Sequence, residues 1–268
     1  MVDRTGPGSF RVHAETVDRV QEALRQTWPN ATVAMAQDVI VASANEAARV
    51  TRERQANSAL PALEGDSPEA ARSRARAYFE IPAKVWAIAV VGVAGHGKST
   101  LINWLRKLDK KDPNAAGVGI TSSTKIPTLY PLNVNGVGRV QLWDTPPLSS
   151  AESGFPRHLM AAFDVVVIVV GDRFMEQAHD AMIQAAGYGC RIIYVRSKLD
   201  LHLSGEQWDH GVPEGAAFEK LCDQWKDEFA KRVLPKAPNA VCFVYSATMM
   251  GDEETRSRML FSLMPPKQ

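Results

Sequence analysis

The sequence predicts an α/β fold, a doubly wound and mostly parallel sheet preceded by an N-terminal α-helical segment. Five short apolar runs predict strands, and no charged residue interrupts any of them. Such runs are typical of strands covered on both faces, as in a parallel sheet. Helical stretches alternate with the runs, as in a doubly wound domain. The predicted strands are residues 85–91, 140–143, 165–170, 192–195 and 241–245, and the predicted helices of this part are residues 100–108, 175–186, 216–233 and 253–263.

The first part of the chain has helical spacing. Apolar residues recur every four positions along residues 12–28, and an alanine-rich stretch covers residues 33–59. A third helix is predicted to begin after Ser67, whose hydroxyl can cap it, with Pro68 in the first turn and an end near Glu80. A frayed N-terminal arm is the alternative to these three helices.

Charge is distributed unevenly along the 268 residues. The chain carries 31 Lys and Arg against 30 Asp and Glu, a formal charge of +1. All of its lysines lie in residues 84–268, whereas the basic residues of the first 83 positions are all arginines. This change predicts a boundary between a helical segment, residues 1–83, and a second domain, residues 84–268, that contains the sheet.

Composition argues against several classes of protein. A net charge near zero is not the signature of a nucleic-acid-binding protein. The three cysteines, Cys190, Cys222 and Cys242, are too scattered for a disulfide framework or a zinc site. No apolar run has the length of a membrane span, and Val2 stands where N-myristoylation requires glycine. We expect a soluble, cytoplasmic protein without a nucleic-acid partner.

A phosphate-binding loop is predicted at residues 92–99, which match the pattern G-x-x-x-x-G-K-[ST] between a predicted strand and a predicted helix. Glycines in such a loop let backbone N–H groups converge on phosphate oxygens, and the helix N-terminus adds positive potential. Lys98 would bind the β- and γ-phosphates as a catalytic group, and the Ser99 hydroxyl would ligate Mg²⁺. The nucleotide-binding residues predicted from the loop are Gly95, His96, Gly97, Lys98, Ser99 and Thr100.

Two positions near the loop each have two interpretations. We expect the side chain of His96 to face solvent, and a catalytic group is the alternative. Asp144 ends the predicted strand of residues 140–143, where an acid can hold Mg²⁺, usually through water. The alternative for Asp144 is an acid that only caps a turn.

Two later segments predict recognition of guanine. Residues 197–200 follow a predicted strand, and the Asp200 carboxylate can accept hydrogen bonds from guanine N1–H and the 2-amino group. Adenine lacks this donor pair and would leave the carboxylate unpaired. The alkyl stem of Lys198 can lie over the base. Residues 246–248 end the last predicted strand, where a backbone N–H could meet guanine O6, and the binding residues predicted there are Ser246 and Ala247.

Together these motifs resemble the translation-factor-related GTPases, and more narrowly the immunity-related (interferon-inducible) GTPase family. The narrower likeness rests on residues 142–146, Leu-Trp-Asp-Thr-Pro, on residues 172–174, Asp-Arg-Phe, and on residues 194–200. The resemblance covers roughly residues 84–265. It implies a P-loop GTPase domain that binds GTP or GDP with Mg²⁺, hydrolyses GTP with the help of nucleotide-dependent dimerisation, and can associate peripherally with membranes.

A switch threonine is expected between residues 119 and 130. Family-like spacing to the downstream Tyr130 favours Thr124 as the catalytic threonine and Mg²⁺ ligand, and Thr121 is the other candidate. A serine- and threonine-rich loop without one essential hydroxyl is the further alternative.

The chain departs from the family at Pro147. The third motif reads Asp-x-x-Gly in the family, and the glycine N–H contacts the γ-phosphate; proline has no N–H to donate. No clear glutamine follows to orient water. Two hypotheses result: a GTPase that is slow unless it self-associates, and a pseudo-GTPase that acts as a nucleotide-stabilised interaction module. A P-loop ATPase or nucleotide kinase is a third.

Two further departures are smaller. Ser197 replaces the usual Asn or Thr of the guanine motif but keeps a hydroxyl. The C-terminal helices of the family do not follow the helix predicted at residues 253–263, which indicates either a reduced form or a piece of a longer chain. The sequence also contains no lipidation motif that would encode membrane association.

Overall fold

The structure of the chain is a computed structural model. It describes eleven segments of the chain, which are residues 2–4, 10–12, 22, 66–117, 126–132, 140–148, 155–171, 175–200, 203–204, 214–245 and 252–265.

Two short strands lie near the N-terminus, β1 (Val2–Arg4) and β2 (Phe10–Val12), and they pair antiparallel. A helix was predicted from residue 12, so this strand pair corrects the start of that prediction. Glu22 is helical as predicted, and the rest of the helices predicted at residues 12–28 and 33–59 lies outside the described residues.

In the part of the chain that the structure describes, six strands form the central sheet. They are β3 (Trp86–Gly92), β4 (Thr128–Pro131), β5 (Val140–Asp144), β6 (Val165–Val170), β7 (Arg191–Arg196) and β8 (Val241–Val244). Their order is β4-β5-β3-β6-β7-β8, and all neighbours are parallel except β4 and β5. The predicted α/β fold with a mostly parallel sheet is confirmed. Strand β4, a four-residue edge strand that ends in a proline, was not predicted from the sequence.

Among the described residues, five helices with defined bounds and one 3₁₀ segment lie around the sheet. They are α1 (Pro68–Tyr78), α2 (Lys98–Leu105), the 3₁₀ segment Arg157–Ala162, α3 (Glu176–Gly187), α4 (Glu214–Arg232) and α5 (Glu253–Leu263). The Ser67 hydroxyl caps α1 as predicted, accepting a hydrogen bond from the N–H of Ala70 at 3.3 Å. No helix in the described part of the chain is long and apolar enough to cross a membrane.

The sheet has a core on each face, which explains why its strands are apolar throughout. In β3, Ala87 and Ala89 lie in one core and Ile88 and Val90 in the other, and all four are fully buried. Helices α1, α3 and α4 contribute to the first core, whereas α2 and α5 contribute to the second. Burial on both faces is the condition under which a parallel sheet is stable.

Helix α1 is packed against the first face of the sheet and hydrogen-bonded to the segment before β6. Arg76 donates hydrogen bonds to Asp164, just before β6, and to the carbonyls of Pro82 and Val85. Phe79, which follows α1, packs against Trp143 and Phe163 in the first core. The division at residues 83 and 84 stays a prediction, and we propose that the compact unit begins no later than residue 66.

Candidate functional site

The phosphate loop connects the end of β3 with the start of α2. A Cβ atom on Gly92 would lie 2.3 Å from the carbonyl oxygen of Val169, so only glycine fits between β3 and β6. Gly95 and Gly97 have φ angles of 75° and 87°, which favour glycine. Since α2 begins at Lys98, the loop lies directly at a helix N-terminus, where partial positive charge favours an anion.

Lys98 is 8% exposed and lies over the loop. Its Nζ donates hydrogen bonds to the carbonyl oxygens of Gly92 at 3.1 Å and Val93 at 3.3 Å. Burial lowers the pKa of Lys98, and the nearby Asp144 carboxylate opposes that shift. A buried ammonium held by neutral carbonyls gains electrostatic energy when a phosphate oxygen approaches.

Ser99 and Asp144 lie together, as their shared predicted role in Mg²⁺ binding requires. The Ser99 hydroxyl donates to Asp144 Oδ2 at 2.8 Å, and Asp144 is 1% exposed at the end of β5. A hydroxyl and a carboxylate are hard oxygen ligands, and Mg²⁺ takes one or two such protein ligands with the rest from water and phosphate. The pair therefore fits Mg²⁺. Thr121 and Thr124 lie outside the described residues.

The segment after Asp144 is fixed to the phosphate loop and to β3. Thr145 donates from its N–H and from Oγ1 to the carbonyl of Val90, and the Leu148 N–H donates to the carbonyl of Gly92 at 3.0 Å. Pro147 is half-buried, and its carbonyl accepts a hydrogen bond from the N–H of Phe155. The segment of residues 144–148 is thus held by hydrogen bonds on both sides of Pro147, which itself has no N–H to donate.

The predicted guanine motif follows β7. Ser197 is 1% exposed, and its hydroxyl donates to the carbonyl of His96 at 2.7 Å, which joins the motif to the phosphate loop. Lys198 has a φ angle of 59°, and both it and Asp200 are half-buried. Burial raises the pKa of Tyr245, and the Asp200 carboxylate adds to this rise, so Asp200 lies near the end of β8. Ser246 and Ala247 lie outside the described residues.

The side chain of His96 does not face solvent, so that expectation is wrong. It is half-buried, and its Nδ1 accepts a hydrogen bond from the N–H of Gly171 at 3.1 Å. The sequence offered no signal for this contact, because the loop pattern allows any residue at position 96. Two further roles were likewise missed: Ser197 bonds to the loop, and Thr145 bonds to Val90 of β3, just before the loop.

Strand, glycine-rich loop and helix, with an acid at the end of the adjacent parallel strand, define a P-loop nucleotide-binding protein. The family model described as "Interferon-inducible GTPase (IIGP)" matches residues 76–239, more than half of the chain. The chain belongs to the interferon-inducible GTPase family, and the class predicted from the sequence, a P-loop GTPase of the immunity-related type, is confirmed.

Curated relatives are similar over part of the chain. Mouse immunity-related GTPase family M protein 3 is 32% identical over 121 residues, which are 44% of this chain and 28% of that protein. Mouse immunity-related GTPase family M protein 2 is 27% identical over 162 residues, which are 59% of this chain and 40% of that protein. The chain therefore spans less than half the length of either relative.

Among solved structures, Aquifex aeolicus Era bound to GDP and AlF4⁻ is 15% identical with a TM-score of 0.48. The match covers 69% of this chain and 58% of that one.

Proposed function

We propose that this chain binds GTP and GDP together with Mg²⁺ and hydrolyses GTP slowly. The observation that carries the proposal is the hydrogen bond between Ser99 and Asp144, 2.8 Å long, beside the buried ammonium of Lys98. The three groups are those that a P-loop GTPase uses to hold a phosphate and its metal. Bound Mg²⁺ would neutralise charge on the β- and γ-phosphates.

Each protein group has a separate part in this proposal. Backbone N–H groups of Gly95 to Thr100 bind the phosphates, and Lys98 adds a positive charge on the β- and γ-phosphates. Ser99 and Asp144 hold the metal, and Thr124 completes the switch. Asp200 recognises guanine with Lys198 over the base, and the N–H groups of Ser246 and Ala247 meet guanine O6.

Slow hydrolysis follows from Pro147. Because proline has no N–H, the γ-phosphate loses one donor, and donors aimed at a developing negative charge are among the largest contributions to catalysis. We propose that self-association through the nucleotide face compensates in part. The alternative supported by Pro147 is a nucleotide-stabilised interaction module without turnover.

Guanine recognition is tested by the Asp200→Asn variant. An amide donates where the carboxylate accepts, so the variant should bind GTP roughly 100-fold more weakly. It should prefer xanthosine triphosphate, whose 2-oxygen accepts from the amide. Titration with fluorescent nucleotides measures both affinities. Asp223→Asn, which changes an exposed acid paired with Lys226 on α4, is the control. Equal binding of GTP and ATP by the unmodified chain would contradict the proposal.

Hydrolysis is tested by comparing the unmodified chain with Pro147→Gly and Lys98→Ala. We expect measurable phosphate release that rises with protein concentration, rises further in Pro147→Gly, and disappears in Lys98→Ala. Tight GTP binding without phosphate release at any concentration would contradict hydrolysis and favour the alternative without turnover.

A further inference from the structure

His96 connects the phosphate loop to two strands of the sheet. Its carbonyl accepts a hydrogen bond from the Ser197 hydroxyl at 2.7 Å, at the end of β7. Its Nδ1 accepts a hydrogen bond from the N–H of Gly171 at 3.1 Å, at the end of β6. The first bond needs only the backbone of residue 96, whereas the second needs this side chain.

Gly171 fits the imidazole ring closely. A Cβ atom at position 171 would lie 3.2 Å from Cδ2 of His96, closer than ordinary van der Waals contact, and 3.4 Å from Nε2. Since Nδ1 accepts the bond, the neutral ring carries its proton on Nε2. The ring and the glycine therefore form a matched pair, in which the hydrogen bond and the steric fit involve the same two residues.

We infer that His96 is a positioning residue, whose side chain holds the phosphate loop against the end of β6 and thereby slows nucleotide release. The inference rests on the proposed nucleotide binding. A loop whose N–H groups must converge on phosphate oxygens binds more tightly when it is held in place beforehand, because less conformational freedom is lost on binding. The sheet is the rigid element, and it holds the His96 side chain through the N–H of Gly171.

The first test replaces His96 by alanine and by asparagine. His96→Ala removes the acceptor and should speed the release of a fluorescent GDP analogue by roughly threefold to tenfold, the effect of one net hydrogen bond. In His96→Asn, Oδ1 lies the same number of bonds from the backbone as Nδ1, so we expect release within about twofold of the unmodified chain. A role in packing alone would not be rescued by the smaller, polar asparagine.

The second test approaches the pair from β6. Gly171→Ala forces the ring to move and should speed release in the chain that has His96, but it should add little in the His96→Ala background. Such non-additivity is the signature of two residues that act through one contact. Thermal unfolding without nucleotide shows whether each variant is folded.

Three results would overturn the inference: unchanged release in His96→Ala, equally fast release in His96→Asn, or the same effect of Gly171→Ala in both backgrounds. If the unmodified chain binds no guanine nucleotide, the proposed function fails separately. Hydrogen exchange of the Gly171 amide then tests the contact itself. It should be faster in His96→Ala and unchanged in His96→Asn, and equal exchange in all three proteins would refute the contact.

Discussion

At the scale of single residues, Lys98 carries the charge of the phosphate loop. Burial disfavours the charged ammonium and lowers its pKa, while Asp144 partly restores it. Bound phosphates would place further negative charge beside Nζ and raise the pKa again. Over the pH range between the free and the bound pKa, nucleotide binding therefore includes the uptake of a proton.

Nucleotide affinity should accordingly fall as the pH rises through the lowered pKa of Lys98. Below that pKa the ammonium is already charged, so the affinity is complete; above it, each binding event must first protonate the amine. Calorimetry of GDP binding in two alkaline buffers with different heats of ionisation measures the proton uptake. Lys98→Gln is the control, since a neutral amide takes up no proton. Equal uptake in the variant would contradict the assignment to Lys98.

At the scale of elements, Asp164 joins α1 to the sheet. Its carboxylate accepts hydrogen bonds from Arg72 and Arg76 of α1, and from the N–H of Ala87 in β3 at 2.8 Å. The Asp164 side chain is 12% exposed and that of Arg76 is 10% exposed, so the charges compensate one another away from solvent. One carboxylate, placed just before β6, therefore binds both α1 and the start of β3.

Replacing Asp164 by alanine should lower the free energy of unfolding by about 3–5 kcal/mol, since it leaves the buried Arg76 guanidinium, and the partly exposed Arg72, without their carboxylate. Asp66→Ala is the matched control. Asp66 pairs with Arg74 of the same helix at 2.9 Å, but the Arg74 side chain is 51% exposed, so the loss should be about 0–1 kcal/mol. Urea unfolding measures both changes. Similar losses in the two variants would show that burial of the pair does not matter.

At the scale of the whole molecule, α5 covers the second face of the sheet. Arg256 of α5 donates to the carbonyl of Leu105 at the end of α2, and the indole N–H of Trp86 donates to the carbonyl of Leu263 at 2.7 Å. Because α2 begins with Lys98 and Ser99, α5 supports the element that presents the phosphate-binding groups.

Two residues of α5 that differ in burial test this arrangement. Leu263 is fully buried in the second core, and Leu263→Ala should cost about 2–5 kcal/mol of unfolding free energy. Phe261 is 74% exposed, and Phe261→Ala should change the unfolding free energy by about 0.5 kcal/mol or less. Denaturant unfolding compares the two. A large loss of unfolding free energy in Phe261→Ala would mean that another surface covers the Phe261 side chain in solution.

The sequence by itself determined the fold class and the chemistry of the phosphate loop. Apolar strands and intervening helices are local patterns, and spacing within residues 92–99 is a local constraint on the backbone, so both can be read without tertiary structure. Lys98 and Ser99 were predicted for the same reason. Asp144 was predicted because an acid at the end of a strand stands out from the apolar run before it.

Only the tertiary structure decided which distant groups meet. The hydrogen bonds of His96 to Gly171 and of Ser197 to His96 span 75 and 101 positions, and the pattern leaves position 96 unrestricted. The same holds for Asp164, whose partners on α1 lie 88 and 92 positions away. Such contacts depend on the order of the strands in the sheet, which places β6 beside β3 and β7 beside β6. Local periodicity carries no information on that order, because a strand is equally apolar next to either neighbour.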